Sequence, residues 1–200
     1  MGAKFSFFIL LAIALPTSME IHQFLNWWLV EVPEWTVQFI IVFICISLIQ
    51  IIGLSMYNGA LACGYIKTYQ IAQFVVLVSV LPVTYLLLKY VNMSPLYPFC
   101  ILFFFQLINE GIVALLILNR LQISIFSYIK EVILPIMKVL FISSVAPIIM
   151  RINMGDGLFP FISICLVAFL CVIVSSLFVG CNYNERRILI SWCKNKLFKK

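Results

Sequence analysis

The sequence predicts an all-α polytopic membrane protein, a helix bundle with about six transmembrane helices. Hydrophobic residues make up 64% of the 200 residues and charged residues only 10%, whereas soluble domains carry roughly 25% charged residues. Apolar runs of about 20 residues recur, each long enough to cross roughly 30 Å of hydrocarbon as a helix. Lipid therefore solvates much of the predicted surface.

Six apolar runs, separated by polar or proline-containing segments, are the predicted membrane spans. They cover residues 5–19, 35–57, 69–88, 99–118, 132–150 and 160–180. With their connections they make residues 1–180 one transmembrane helix bundle. Residues 181–200 follow as a basic cytoplasmic tail.

The first span is short and is followed by a polar segment. At 1.5 Å per residue, residues 5–19 give about 22 Å of helix, less than the roughly 30 Å of a bilayer core. The next segment, EIHQFLNWWLVEVPE, has no lysine or arginine, and we expect it to be an outer loop. Lys4 and the apolar run are also typical of a signal peptide, but PTSM is a poor cleavage site, which favours a retained span.

Each later connection contains a helix breaker or a polar turn. NGALACGYIKT turns the chain after the second span, and Pro95 and Pro98 follow the third. NRLQISIFSYIKE, after the fourth span, is too polar to cross a membrane, yet Leu121, Ile125 and Ile129 recur at helical spacing. This pattern predicts a short helix lying in the interface. The glycine-rich RINMGDGLFP joins the last two spans.

Lysine and arginine are distributed unevenly between alternate loops. If the N-terminus is inside, the outer loops hold only Lys89 and Arg151. The inner segments then hold Lys4, Lys67, Arg120, Lys130, Arg186, Arg187, Lys194, Lys196, Lys199 and Lys200. The positive-inside rule therefore places both termini in the cytoplasm. We expect the tail to lie on anionic membrane lipid.

Composition argues against nucleic-acid, metal and cofactor binding and against an enzyme. The net charge of +6 is concentrated in the tail, without the basic and aromatic platform of a nucleic-acid site. The seven cysteines have no CxxC spacing and His22 is the single histidine, so the sequence offers no clustered metal ligands. Serine, histidine and acidic residues do not converge into a catalytic group.

Tryptophans mark one predicted membrane interface. Trp27, Trp28 and Trp35 all lie in or beside the acidic segment that follows the first span. Indole has an apolar body and a polar N–H group, and it is enriched at the headgroup level of membranes. These three residues are the predicted interface anchors.

Two charged residues lie inside apolar runs, where a charge is costly and usually paired or functional. Glu110 lies near the middle of the fourth run, beside Asn109, and Lys138 lies about two turns into the fifth. These three residues are the predicted substrate- or ion-pathway residues. Lys138 could instead snorkel to the inner interface, whereas Glu110 is too deep to do so.

Depth arithmetic predicts that Glu110 and Lys138 face each other. Glu110 precedes Arg120 by about 15 Å of helix, and Lys138 follows Lys130 by about 12 Å. Consecutive antiparallel spans are usually neighbours, and an unpaired buried charge is unfavourable. The pair could open during transport, Glu110 could carry a coupling proton, or the pair could be a fixed structural bridge.

Two segments resemble signatures of a known transporter family. NWWLVEVPEWT (26–36) is similar to an outer-loop signature of polysaccharide flippases, of O-antigen type, in the multidrug, oligosaccharidyl-lipid and polysaccharide exporter superfamily. NGALACGYIKTYQI (58–71) resembles the turn after the next helix, and the order and spacing agree. KFSFFILLAIALP and KEVILPIMKV (130–139) add to the resemblance. The likeness covers nearly the whole chain but corresponds to the C-terminal portion of the family's two-bundle architecture.

The resemblance implies a part of a transporter in the bacterial inner membrane. Such a protein passes undecaprenyl-pyrophosphate-linked oligosaccharide, a precursor of O-antigen, capsule or lipopolysaccharide, to the periplasmic leaflet by alternating access. A polar cavity between two bundles is needed because sugars and phosphates do not cross hydrocarbon unaided. We therefore expect an N-terminal helical bundle on another chain or missing, and this chain to be a truncated or split C-terminal portion.

Two alternatives remain open on the sequence. One is a membrane-embedded enzyme of envelope polysaccharide synthesis, which would need acid, base or histidine groups gathered at one membrane face. The other is a nonfunctional remnant of a transporter.

Overall fold

The computed structural model describes residues 2–64, 66–91, 95–120, 122–155, 157–182 and 185–187, and all regular structure within these ranges is helical. A π-helical segment, Ile129–Ile133, separates two of the helices, and another, Ser176–Gly180, follows the last. The helices are α1 (Gly2–Trp28), α2 (Thr36–Ala62), α3 (Ile66–Val91), α4 (Tyr97–Arg120), α5 (Ile125–Tyr128), α6 (Leu134–Asn153) and α7 (Leu158–Ser175).

Six helical segments within the described ranges are long and apolar enough to cross a membrane. They are Gly2–Trp28, Thr36–Ala62, Tyr69–Tyr90, Tyr97–Arg120, Ile125–Asn153 and Leu158–Gly180. Each predicted apolar run overlaps one of these segments, and the segments extend past most of the predicted ends. The predicted fold class, an all-α polytopic helix bundle, is confirmed, and the chain is a multi-pass membrane protein.

The chain divides into two compact units. The terminal unit combines Met1–Met19 with Ile129–Lys200, and the central unit is Glu20–Tyr128. Both crossings between the units coincide with irregular helix geometry. Glu20 interrupts α1 with non-helical φ −110° and ψ 16°, and the second crossing falls where α5 gives way to the π-helical segment.

The first helix is longer than the predicted span, because it continues into the segment expected to be an outer loop and ends at Trp28. Residues 17–28 contain neither glycine nor proline, so nothing in their backbone chemistry ends the helix. Ile21 and Leu25, one turn apart, are buried and cluster with Val37 of α2. Burial of this apolar pair explains why a polar segment stays helical after the break at Glu20.

The expected short interfacial helix is not a separate element in the described part of the chain. α5, the π-helical segment and α6 form one continuous span of 29 residues, Ile125–Asn153. Pro135 lies just after the π-helical segment Ile129–Ile133, and such local π adjustments let a continuous membrane helix accommodate the missing N–H group of a proline. Leu121, the first residue of the predicted amphipathic pattern, lies outside the described residues.

In the central unit, α4 packs against both α2 and α3. The rings of Phe39 and Phe99 lie 4.6 Å apart near the starts of α2 and α4. Further along both helices, Ala60 of α2 and Val113 of α4 share one buried cluster. Because the contacts advance in the same direction along both helices, α2 and α4 run parallel, with α3 between them in sequence.

In the terminal unit, α6 and α7 form the most extensive helix pair. Their buried residues recur at spacings of three and four, and serine, alanine and proline are prominent among them, which permits close helix approach. They are Ile136, Val139, Ser143 and Pro147 on α6, and Ile164, Ala168, Val172 and Ser175 on α7. Of the predicted basic tail, residues 188–200 lie outside the described residues.

Candidate functional site

Glu110 anchors a polar cluster inside the central unit. It lies past the middle of α4, among apolar neighbours in a membrane-spanning helix. The side-chain amide of Gln106, one turn earlier, donates a hydrogen bond to Glu110 Oε1 at 2.9 Å. Gln106 itself is 4% exposed. A buried amide thus holds the carboxyl group in a defined position at membrane depth.

Gly53 of α2 provides the surface against which the Glu110 carboxyl group lies. A Cβ atom added at Gly53 would overlap both carboxyl oxygens and Cδ of Glu110. Glycine therefore lets the α2 backbone approach the acid directly. The sequence gives no sign of this relationship, because it depends on the register between two helices far apart in the chain.

Tyrosines surround the same region of the central unit. The rings of Tyr57 and Tyr69 lie 5.0 Å apart, and Tyr69 and Tyr128 both pack in the buried cluster that contains Val113 of α4. The Tyr128 hydroxyl is buried and has no hydrogen-bond partner in the part of the chain that the structure describes. It is thus a donor available to a further polar group.

Asn109 is the most unusual polar residue of this cluster. It is 0% exposed, and neither its amide nitrogen nor its amide oxygen has a hydrogen-bond partner among the described residues. Each orphaned buried group costs about 1–3 kcal/mol. A side chain retained at this cost is typical of a group that meets water, an ion or a ligand.

The cluster offers chemistry that an apolar bundle otherwise lacks. Glu110, Gln106, Asn109 and Tyr128 supply a carboxyl group, two amides and a hydroxyl within one unit. Such a set can accept or release a proton, surround a cation with oxygen atoms, or hydrogen-bond to a sugar. Among the described residues, no group of three histidine, cysteine, aspartate or glutamate side chains could hold a metal ion.

Glu110 and Asn109 are consecutive residues of α4, and the structure does not test their predicted relation to Lys138. Glu110 and Asn109 belong to the central unit and Lys138 to the terminal unit, and each unit is described by itself. Lys138 is exposed on α6. Its pairing with Glu110 stays a prediction, as does its role in a substrate or ion pathway.

The predicted interface anchors are at the surface of the central unit. Trp27 and Trp28 occupy the last turn of α1, with 51% and 74% of their surface exposed. Trp35 precedes α2 with a left-handed φ of 69°, a conformation uncommon for a side chain of this size. Exposed indoles next to helix ends fit an aromatic belt, and their depth in a bilayer stays a prediction.

Sequence reasoning missed a buried ion pair in the terminal unit. The Lys4 ammonium lies 2.7 Å from Glu185 Oε2, and the two side chains are only 2% and 6% exposed. The backbone N–H of Asn182 also donates to Glu185 Oε2, at 2.9 Å. Lys4 was expected to be one of several inner-face charges, and nothing in the sequence links residues 181 positions apart.

Two opposing effects set the pKa of Glu185, which lies beyond the last membrane span. Burial raises this pKa. The hydrogen bond from Lys4 and the backbone hydrogen bond from Asn182 lower it by more than burial raises it, so the pKa of Glu185 lies below its ordinary value. The carboxyl group is therefore held in its charged form by its partners. The pair fixes the first turn of α1 to the segment that follows the last span.

No protein-family model matches this chain, and neither a curated protein nor a solved structure matches it either.

Proposed function

We propose that this chain is part of a transporter that flips undecaprenyl-pyrophosphate-linked oligosaccharide across the bacterial inner membrane. The observation that carries the proposal is a polar cluster within a membrane-spanning helix, made of the buried Gln106 and Asn109 and the half-buried Glu110. Sugars and phosphates need polar partners to pass hydrocarbon, and ionisable residues at such depth mark substrate or ion pathways.

The position of the two flippase-like segments supports the same proposal. Residues 26–36 lead into α2, and residues 58–71 include its end and the turn into α3. The resembling segments thus bracket the helix that presents Gly53 to the Glu110 carboxyl group. The two segments that resemble the flippases therefore belong to the same unit as Asn109 and Glu110.

A second helical bundle is the proposed partner. The flippases that the chain resembles enclose their cavity between two bundles, and the resemblance covers the C-terminal portion of them. We propose that an N-terminal bundle on another chain completes the cavity and that the carrier lipid and its oligosaccharide enter between the two. In this proposal the chain binds and moves its substrate and catalyses no covalent step.

Both termini are placed in the cytoplasm in this proposal, following the distribution of lysine and arginine. Reporter fusions after Pro33 and after Asp156 should then report the periplasm, and a fusion after Lys200 the cytoplasm. A cytoplasmic signal after Pro33 would contradict the orientation.

Complementation tests the transport function. A flippase-deficient strain would receive this chain alone, or together with a matching N-terminal flippase half, and surface polysaccharide would be measured. We expect only the pair to restore it. Glu31→Gln serves as the matched control for Glu110→Gln, because Glu31 is exposed between α1 and α2. Failure of the pair at normal membrane levels of both chains contradicts the proposal, and polymer synthesis without translocation favours an enzyme.

A further inference from the structure

An apolar groove of 370 Å³ lies within the terminal unit, between α1 and the end of the last span. Phe8 and Ala12 of α1 form one wall. Phe169 and Val172 of α7, with Ser176 of the π-helical segment, form the other. The groove therefore follows two membrane-spanning helices.

The rim of the groove faces outward. Ile9 and Ile13, which line it from α1, are 68% and 62% exposed. Because both walls belong to membrane-spanning segments, the medium that reaches this opening is lipid hydrocarbon. An apolar groove open to hydrocarbon fits an acyl chain.

Two contacts fix the separation of the walls. A Cβ atom at Gly180 would lie 2.5 Å from Cζ of Phe8 and 3.0 Å from Cγ2 of Val139. Gly180 therefore allows the Phe8 ring to lie directly on the π-helical segment Ser176–Gly180. The buried Lys4–Glu185 pair holds the same end of α1 in place.

Positive charge is concentrated beyond one end of the groove. Cys181 lines this end, and the backbone N–H of Arg186 donates to the carbonyl oxygen of Asn182 at 2.9 Å. The Arg186 guanidinium stacks over the Phe178 ring at 4.6 Å from its centroid. Arg187 is exposed. Glu185 is paired with Lys4, so its negative charge does not neutralise Arg186 or Arg187.

We propose that the groove binds one acyl chain of an anionic phospholipid whose phosphate contacts Arg186 and Arg187. The apolar walls recognise the chain, and the guanidinium groups recognise the phosphate as charge-assisted donors. The site lies in the terminal unit and uses none of the Glu110 cluster. A result that contradicts the lipid site therefore does not contradict the transport proposal, and the reverse also holds.

Photolabelling tests the acyl-chain part of the site. The purified full chain in detergent would be mixed with phosphatidylglycerol that carries a diazirine in one acyl chain, and the labelled peptides would be mapped. We expect labelling of α1 and of the last span. Ser176→Trp should fill the groove and reduce this labelling several-fold. Ser79→Trp is the matched control, because Ser79 also bonds a carbonyl of its own helix, Val75, but lies outside the groove.

Labelling spread evenly over all the spans would overturn the proposal, as would equal labelling of the Ser176→Trp and Ser79→Trp proteins. Size-exclusion profiles establish that each variant is folded. Should Ser176→Trp fail to fold, Ala12→Phe fills the same groove from the opposite wall. Protection of the groove by a second copy of the chain, seen as labelling that falls as dimer forms, also contradicts lipid occupancy.

Native mass spectrometry tests the phosphate part of the site. We expect the wild-type chain to retain phosphatidylglycerol in preference to phosphatidylethanolamine with the same acyl chains. Replacing Arg186 and Arg187 together by glutamine should abolish the preference, whereas Lys67→Gln, a change at an exposed residue of α3, should keep it. Equal retention of the two lipids by the wild-type chain overturns the proposal. Displacement of the phospholipid by a lower concentration of polyprenyl phosphate would also contradict it.

Discussion

Gly53 of α2 and Glu110 of α4 are in direct contact, with the carboxyl group occupying the space where a Cβ atom of residue 53 would lie. The contact joins a small residue on one membrane helix to an acid on another. The α2 backbone at Gly53 thus lies against the same carboxyl group that accepts the hydrogen bond from Gln106.

Gly53→Ala should therefore displace the Glu110 carboxyl group and lower stability by about 1–3 kcal/mol, the usual range for overpacking. Gly59→Ala is the matched control. Gly59 lies on the same helix as Gly53, but a Cβ atom added there would meet nothing within 4 Å. Thermal unfolding of the detergent-solubilised proteins would show a lower midpoint for Gly53→Ala only. Combining Gly53→Ala with Glu110→Ala should restore the midpoint, and equal midpoints for the two alanine variants would refute the contact.

The Lys4–Glu185 pair yields a second prediction, because removing one partner leaves the other charge buried. Lys4→Met or Glu185→Gln alone should lower the stability of the chain by about 3 kcal/mol. The double change Lys4→Met with Glu185→Leu should recover most of this loss. Lys67→Met, at an exposed lysine, should change little. Single and double variants of equal stability would argue against the pair.

The pair also predicts a dependence of stability on pH. The pKa of Glu185 in the folded chain lies below its ordinary value, and so its stabilising contribution is complete above that value, 4.5. The contribution is then lost as pH falls through the lowered pKa. The difference in unfolding midpoint between wild type and Glu185→Gln should be largest at neutral pH and should shrink in acid below about pH 4.5. A difference that grows in acid would contradict the assignment.

The membrane character and the number of spans could be predicted from sequence because each apolar run is long enough to cross hydrocarbon. The helical extension of α1 to Trp28 could not, since it depends on burial of Ile21 and Leu25 against Val37. Likewise, Ile125 and Ile129 showed the helical period, but only the structure shows that their helix continues into α6 without a turn.

The candidate site was predicted in part for a similar reason. Glu110 and Asn109 stand out in the sequence because polar groups inside an apolar run are unfavourable. Their surroundings, by contrast, depend on helix register. Gly53 looks like any membrane-helix glycine, and Tyr128 lies in a segment expected at the interface, so neither could be assigned to Glu110 without the fold.

Asn109 gives a prediction in which stability and function change in opposite directions. Asn109→Leu removes two buried groups without partners among the described residues and should raise stability by about 1–3 kcal/mol, while impairing transport. Asn153→Leu is the control, because the Asn153 amide already donates to Ile149 at 2.8 Å on an exposed surface. Unfolding midpoints and polysaccharide export would be measured for both. A large loss of stability in Asn109→Leu would show that the amide is satisfied in the membrane.

Glu110→Gln tests the central claim that the intramembrane acid serves transport. Glutamine keeps the shape of the side chain and an oxygen that can accept from Gln106, so the bundle should fold at normal levels. The measurement is the fraction of lipid-linked oligosaccharide that becomes accessible from the periplasmic side of spheroplasts carrying the chain and its N-terminal partner. We expect Glu110→Gln to lower this fraction about tenfold, equivalent to about 1.4 kcal/mol, and Glu31→Gln to leave it unchanged. Translocation at the wild-type rate by a correctly inserted Glu110→Gln protein would contradict the account.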